Sequence, residues 1–280
     1  MKERSAIMIL ITVALVRGAS NTLMKLGVGT LTPFTLIAMR FGIAFLVMAL
    51  LLRKRVWIQD RRTLLESGCM GLFLFLTFAF LMYGLKTTEA STASFLTGIS
   101  VVIVPILNLI LFHKRPGGSV WVAMVVAVGG IALLSLKEGL SIAPGALLCL
   151  LGAAFNAGYI VMTSRFSAHS DPLCLGVWQL LWASLIALVG TPFTGGFTMP
   201  ATWNSWLVVL GLAIFCSAYG YVAQPVAQKG TDANKAGFIL ASEPAFSLVV
   251  AAIFLGGAFL IPGSGRRTAG FWKYSDCKHP

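Results

Sequence analysis

The sequence predicts an all-α, polytopic membrane helical bundle, and three observations carry that prediction. Hydrophobic side chains make up 58% of the 280 residues and charged ones only 11%, against about 25% charged in ordinary soluble domains. Mean hydropathy is +0.88, and it is spread along almost the whole chain, which excludes a soluble domain carrying one anchor. The apolar runs approach the ~20 residues that take a helix across the ~30 Å hydrocarbon core, and alternating ten-residue strands are absent.

Nine spans follow in order, over residues 6–27, 34–52, 67–85, 91–112, 119–136, 145–163, 172–190, 205–227 and 235–256. In the first, Lys2 and Arg4 followed by apolar Ala6 to Val16 and then Gly18-Ala19-Ser20 imitate a secretory signal peptide. Arg17, just before the apparent cleavage site, and the eight further spans argue against cleavage. The second opens at Thr32-Pro33 and stops at Arg53-Lys54-Arg55; the third runs from behind Arg61-Arg62 to Lys86. The fourth ends at His113-Lys114-Arg115, the fifth at Lys137 and the sixth near Arg165. Asp171-Pro172 opens the seventh, Lys229 follows the eighth, and the ninth contains Glu243-Pro244.

Lysine and arginine fall unevenly on the two sides that alternate spans define. One side gathers Lys2, Arg4, Arg53, Lys54, Arg55, Arg61, Arg62, Lys114, Arg115, Arg165, Lys229 and Lys235, and the other Lys25, Lys86 and Lys137. Positive short loops stay in the cytoplasm, so this asymmetry puts the N-terminus inside a cell inner (plasma) membrane. It also turns most of the net charge of +12 into a topology signal, and nucleic acid is not expected as a partner. The cysteines (Cys69, Cys149, Cys174, Cys216 and Cys277) show no paired spacing, and all but Cys277 lie in apolar runs, which speaks for neither a disulfide framework nor a metal site.

An internal repeat is the second layer. Residues 86–96, Lys86-Thr87-Thr88-Glu89-Ala90-Ser91-Thr92-Ala93-Ser94-Phe95-Leu96, lie without a gap over Lys229-Gly230-Thr231-Asp232-Ala233-Asn234-Lys235-Ala236-Gly237-Phe238-Ile239, 143 positions later. Lys, Thr, Ala, Ala and Phe recur identically, and Glu89 answers Asp232. Thr32-Pro33 against Asp171-Pro172 is a shorter echo. Because the first unit holds an odd number of spans, the second enters from the opposite side, the inverted repeat of secondary transporters with a site near the bilayer midplane.

These residues resemble the EamA family of the drug/metabolite transporter superfamily. The likeness rests on Arg17-Gly18 at the position of that family's Trp-Gly, on Arg40-Phe41, on Tyr83 to Ser91 at the hairpin, on Phe95 to Pro105 and on Ser242-Glu243-Pro244. It implies two five-helix units, both termini cytoplasmic, and export or uptake of small metabolites. The family follows its fourth and ninth helices with Gly-Glu, whereas this chain reads His113-Lys114 and Gly256-Gly257. After Gly257 the only apolar run is Ala258 to Pro262, too short to cross. The expected organisation is a first unit over 5–136, a second over 145–256, and a non-matching polar tail over 257–280, the tenth helix missing or replaced, as in a truncated or frame-altered variant.

Three ionisable residues fall inside the spans, Arg17, Arg40 and Glu243, and each is costly enough there to be a functional candidate. Glu243 reads either as a proton-coupling or substrate-amine-binding group or as a static partner of Arg17 or Arg40, and Pro244 is expected to kink its helix. Arg17 forms a polar stripe with Ser20 and Asn21 and suits a substrate carboxylate or phosphate. Arg40, alone on an apolar span, is expected to snorkel to the interface. Polar stripes also run through Gly152, Asn156, Tyr159 and Thr163, through Ser217, Tyr221, Gln224 and Gln228, and through Thr97, Ser100 and Asn108, each with ordinary interhelical hydrogen bonding as its plain alternative.

The expected substrate-binding or coupling residues are therefore Glu243, Arg17, Asn21, Asn156, Tyr159, Tyr221 and Gln224, with no catalytic residue, no metal ligand and no cofactor. No Ser-His pair or phosphate loop is present for chemistry or ATP coupling. The expected function is a secondary permease, an exporter of a small metabolite or amphipathic compound by alternating access; its partners are that substrate and membrane lipid, and a homodimer is allowed. The rival readings are a non-transporting remnant and an integral membrane enzyme acting on lipid, the latter disfavoured by loops poor in His and Asp.

Overall fold

A computed structural model describes residues 2–28, 31–57, 60–88, 96–113 and 144–247, with isolated positions at 93, 117–118, 121–122, 125 and 129. Most of the fifth expected span, the ninth span from residue 248 and the whole 257–280 tail lie outside the described residues. Among the described residues none is in a strand.

The first unit contributes α1 (Glu3–Val28), α2 (Pro33–Leu51), α3 (Arg61–Thr87) and α4 (Ser100–Phe112). The second contributes α5 (Pro144–Ser167), α6 (Pro172–Gly190), α7 (Trp203–Gln228) and α8 (Ala233–Leu240). Five of these helices, α2, α3, α5, α6 and α7, are long and apolar enough to cross a membrane. The repeated sequence echo has a local cause: Thr32 and Asp171 both cap the helix that follows, accepting from the backbone N–H of Thr35 at 3.4 Å and of Leu173 at 3.0 Å, with proline at the start of the helix. Proline suits that position because its missing N–H would have no partner there anyway.

The polarity of the bundle is inverted relative to a soluble protein. Leu46, Leu50, Leu65, Val189 and Phe215 are exposed on its outside, while Arg17 and Arg40 are buried within. Such a surface is stable only in an apolar solvent, because contiguous exposed apolar area in water drives association.

Helix packing obeys the repeat. In the first unit α3 packs on α5 and α6, and in the second α7 packs on α1 and α2; α4 lies on α5, and α8 on α1. Two further pairs, α2 with α6 and α4 with α8, join equivalent helices. Exchanging the two units maps every one of these contacts onto another. The ends show that the exchange also reverses direction. Glu3 at the start of α1 meets Lys235 at 2.6 Å, and at the same end Glu66 at the start of α3 accepts from Ser170, just after α5. Arg55 meets Asp171 there as well, at 2.8 Å. At the far end, Thr87 and Thr88 abut Gly145 at the start of α5. Thus α1 and α5 run in opposite directions, and the units are inverted. Arg53–Arg55, Arg61–Arg62 and Arg165 share the first end, as their loop positions require.

Two local departures from regular helix place side chains in the interior. Residues Leu212–Tyr219 of α7 wind as a π-helix, a form that is rare and concentrated at functional positions. The ninth span is interrupted beside Pro244, where the kink is expected. α8 ends at Leu240, residues 241–242 form a turn, and helix resumes at Glu243. Pro244 is the second residue of the resumed stretch and has no N–H to offer the Leu240 carbonyl, and the interruption falls just before the buried carboxylate.

Candidate functional site

The polar centre forms where α1, α3, α5, α7 and the segment after α8 meet. Arg17, about halfway along α1, is 5% exposed. Its Nε lies 2.7 Å from Glu243 Oε1, a close ion pair whose angle leaves neither atom with an aligned hydrogen bond. Its two terminal nitrogens are better served: Nη1 donates to Gln224 Oε1 at 2.7 Å and Nη2 to Asn156 Oδ1 at 3.3 Å. The guanidinium also stands over the Tyr221 ring at 4.8 Å, a cation–π contact.

Neutral groups carry this arrangement outward. Asn156 Nδ2 donates to Ser100 Oγ at 3.4 Å, Gln224 Nε2 to Gln228 Oε1 at 3.5 Å, and Gln228 Nε2 to the Ile160 carbonyl at 3.3 Å. Apart from the Ile160 carbonyl, each donor and acceptor belongs to a stripe legible in the sequence. What the stripes could not show is that two of them converge on one cation and a third joins through Asn156. Gln179 of α6, outside any stripe, donates to the Tyr221 carbonyl at 2.7 Å and braces the residue that faces Arg17.

Gly18 explains how the break reaches Arg17. A Cβ there would stand 2.8 Å from the Glu243 carbonyl oxygen and 2.9 Å from both Phe246 Cβ and Ser247 N. Only glycine lets α1 approach the resumed helix backbone so closely, and the neighbouring Arg17 gains its reach to Glu243 from that approach.

A small cavity opens on this pair, lined by Arg17, Glu243, Asn156 and Tyr221 together with Ser20, Thr97 and, from α3, Thr77, Phe78 and Leu81. Its enclosed heart has room for about one water. Of the expected residues, Arg17, Glu243, Asn156 and Tyr221 border the cavity, and Gln224 stands behind Arg17. Tyr159 does not reach it: its ring is buried edge-on against Tyr221 at 6.0 Å. The side chain of Asn21 lies outside the described residues. The α3 contributors went unread in the sequence, because Thr77 and Phe78 in an apolar span carry no periodic signal.

Arg40 overturns the expectation of snorkelling. It is fully buried, with Nε donating to Ser217 Oγ at 2.9 Å, Nη2 to Ser20 Oγ at 3.3 Å and Nη1 contacting Met24 Sδ at 3.0 Å. Its guanidinium lies 4.9 Å from the Phe41 ring centre and 4.4 Å from that of Phe78. The long side chain turns inward because neighbouring helices supply acceptors and π-faces that the interface would not better. Glu243 pairs with Arg17 and not with Arg40. Asn108, from the same reading, takes the plain role: its Nδ2 donates to Asn234 Oδ1 at 2.7 Å and ties α4 to α8.

Residues 4–136 and 143–261 each match the EamA-like transporter family. The chain belongs to that family. The second match runs a few residues past the boundary expected at about 256. An uncharacterized transporter of Archaeoglobus fulgidus is 29% identical over 264 residues, covering 89% of this chain and 80% of its own length. The pseudopaline exporter CntI of Pseudomonas aeruginosa is 23% identical, over 75% of this chain and 74% of its own. The threonine/homoserine exporter RhtA of Escherichia coli is 29% identical over 54% of this chain and 51% of its own. A solved crystal structure shares the fold with a TM-score of 0.74 at 22% identity, over 93% of this chain and 92% of that one. This EamA-family chain is a membrane transporter by kinship.

Proposed function

We propose that this EamA-family chain is a secondary transporter that exports a small polar metabolite across the cell inner membrane, with the N-terminus cytoplasmic. The observation that carries the reading is the Arg17–Glu243 pair, set about midway along α1 at the junction of two inverted units and bordering a cavity. Inverted-repeat transporters keep their site there and rock the units about it, with broken helices at the binding position. The interruption at residues 241–242 supplies such a break. The export direction leans on the names of CntI and RhtA, both exporters. Twelve basic residues on one side of the spans support the orientation.

Glu243 is the group suited to coupling. A carboxylate facing Arg17 holds the two units together when ionised and releases them when protonated or when a ligand takes its place. Reconstitution into liposomes with a metabolite panel tests the reading by counterflow: at least one metabolite exchanges, and Glu243→Gln abolishes the pH dependence of that exchange. Exchange with an unchanged pH profile in Glu243→Gln removes the coupling role. An absence of flux for the whole panel, from protein that stays folded, removes transport itself.

A further inference from the structure

A second opening lies away from the polar centre, on the flank of the bundle. The helices α1 and α2 hardly touch one another while each packs on α7, so α7 floors the space between them. Ile9 of α1, Met48 of α2, Leu173 of α6 and Val226 of α7 line this groove, and Ala218 and Tyr219 of α7 lie at its inner end. It offers about 260 Å³, against about 20 Å³ in the central cavity. Its lining is almost wholly apolar. Tyr219, the one lining residue with a polar side-chain group, engages its hydroxyl with Thr12 Oγ1 at 2.6 Å. From Val226 to Ala218 the groove runs about 12 Å at helical rise, most of one leaflet's half of the ~30 Å hydrocarbon core.

The walls of the groove lead to cations at the basic end of the bundle. Lys2, Ile9 and Thr12 share a face of α1 at steps of seven and three, and Lys229 follows Val226 by three at the end of α7. Arg55 is held near Leu173 by its pair with Asp171 at 2.8 Å. All three cations are exposed, and Lys2 and Lys229 meet no carboxylate among the described residues. We propose that the groove seats one acyl chain of an anionic phospholipid whose phosphate is met by Lys2, Lys229 and Arg55. Water in such a groove finds too few polar partners, whereas acyl chains bathe the outside of a membrane bundle, so a chain fills the space. Seating it there gains little over bulk lipid, because lipid tails are as apolar as the lining. Selection therefore falls to the head group, where each cation near the membrane surface gives about a fivefold preference for negative charge. The seated chain lies against Ala218 and Tyr219, in the same π-helical stretch whose Ser217 holds Arg40. This site is separate from the Arg17–Glu243 cavity and stands whether or not the chain moves a metabolite.

The test is photolabelling, which needs neither flux nor a folded variant. Full-length chain in phosphatidylcholine nanodiscs receives a trace of phospholipid carrying a photoactivatable diazirine in its acyl chain, and labelled residues are mapped by peptide mass spectrometry. Two probes with identical chains are compared, one with a phosphatidylglycerol head and one with a phosphatidylcholine head. Labelling of Met48, Tyr219 and Val226 is measured relative to Leu46, Leu65 and Val189, which are exposed elsewhere on the bundle. That ratio is about tenfold higher with the phosphatidylglycerol probe than with the phosphatidylcholine probe. In the double variant Lys2→Gln with Lys229→Gln the two probes give nearly the same ratio. Ala223→Phe, which fills the groove and leaves the cations in place, lowers the ratio for both. Equal ratios for the two probes on the wild-type chain overturn the proposal, as does phosphatidylglycerol labelling spread evenly over the groove and the exposed reference residues. A preference for phosphatidylglycerol that survives loss of both lysines overturns it as well.

Discussion

Two arginines lie within the same bundle, and the difference between them separates a site from a scaffold. Arg17 faces a carboxylate across a cavity, and Arg40 faces none among the described residues, its charge spread over two hydroxyls, a thioether and two phenylalanine rings. Between them sit Phe41, Phe78 and Tyr221, packed edge to face at 5.3 to 5.8 Å. Arg40 stacks on Phe41 and Phe78 of this group and Arg17 on Tyr221. A buried cation held only by neutral groups has no opposite charge to exchange with a ligand, so its surroundings read as structure. A cation whose counter-charge sits on a broken helix beside a cavity has such an exchange to make.

Replacement of Arg17 by Met has the largest expected effect. It strands Glu243 without a cation and lowers unfolding stability in nanodiscs by about 3 kcal/mol, and counterflow is lost. The double variant Arg17→Met with Glu243→Gln regains most of the stability and none of the flux. Equal destabilisation in the single and double variants would break the comparison, since the two charges would then be independent. Arg40→Met comes next. Losing charged hydrogen bonds and gaining relief from desolvation partly offset, for a net loss of about 1 to 2 kcal/mol, and counterflow persists. If Arg40→Met abolished flux in protein as stable as the wild type, Arg40 would belong to the site after all. Smallest is Arg55→Ala at the bundle end, where the ion pair with Asp171 has an Arg55 side chain 62% exposed. Such a pair contributes about 0.5 kcal/mol or less, and less again at high salt.

Much of this was legible in the sequence, for reasons that are local or periodic. Span lengths follow from the thickness of the hydrocarbon core, and the inverted order follows from the gapless repeat and the odd number of spans in its first unit. The caps at Thr32 and Asp171 are visible because capping depends on neighbours in the chain. Arg17 and Glu243 stand out because ionisable residues inside spans are rare. Arg40 misleads for the converse reason: the decision to point inward rests on Ser20 and Met24 of α1 and Ser217 of α7, none of which is near it in sequence. The same holds for Thr77 and Phe78, whose part in the cavity is set only by how α3 meets the other unit. Pro244 marked the place where the helical ladder is interrupted, because the signal is local to the chain.

The eight-residue π-helical stretch of α7 ties the two arginines to one another. Ser217, inside it, holds Arg40; Tyr221 and Gln224, just beyond it, hold Arg17. Wider winding takes more residues per turn, so it sets the angular phase between those anchors. Rewinding that stretch to ordinary pitch would swing Ser217 around the helix axis relative to Tyr221, and one guanidinium could keep its berth only as the other lost it. The winding of that one stretch is thus common machinery for two charges on different helices.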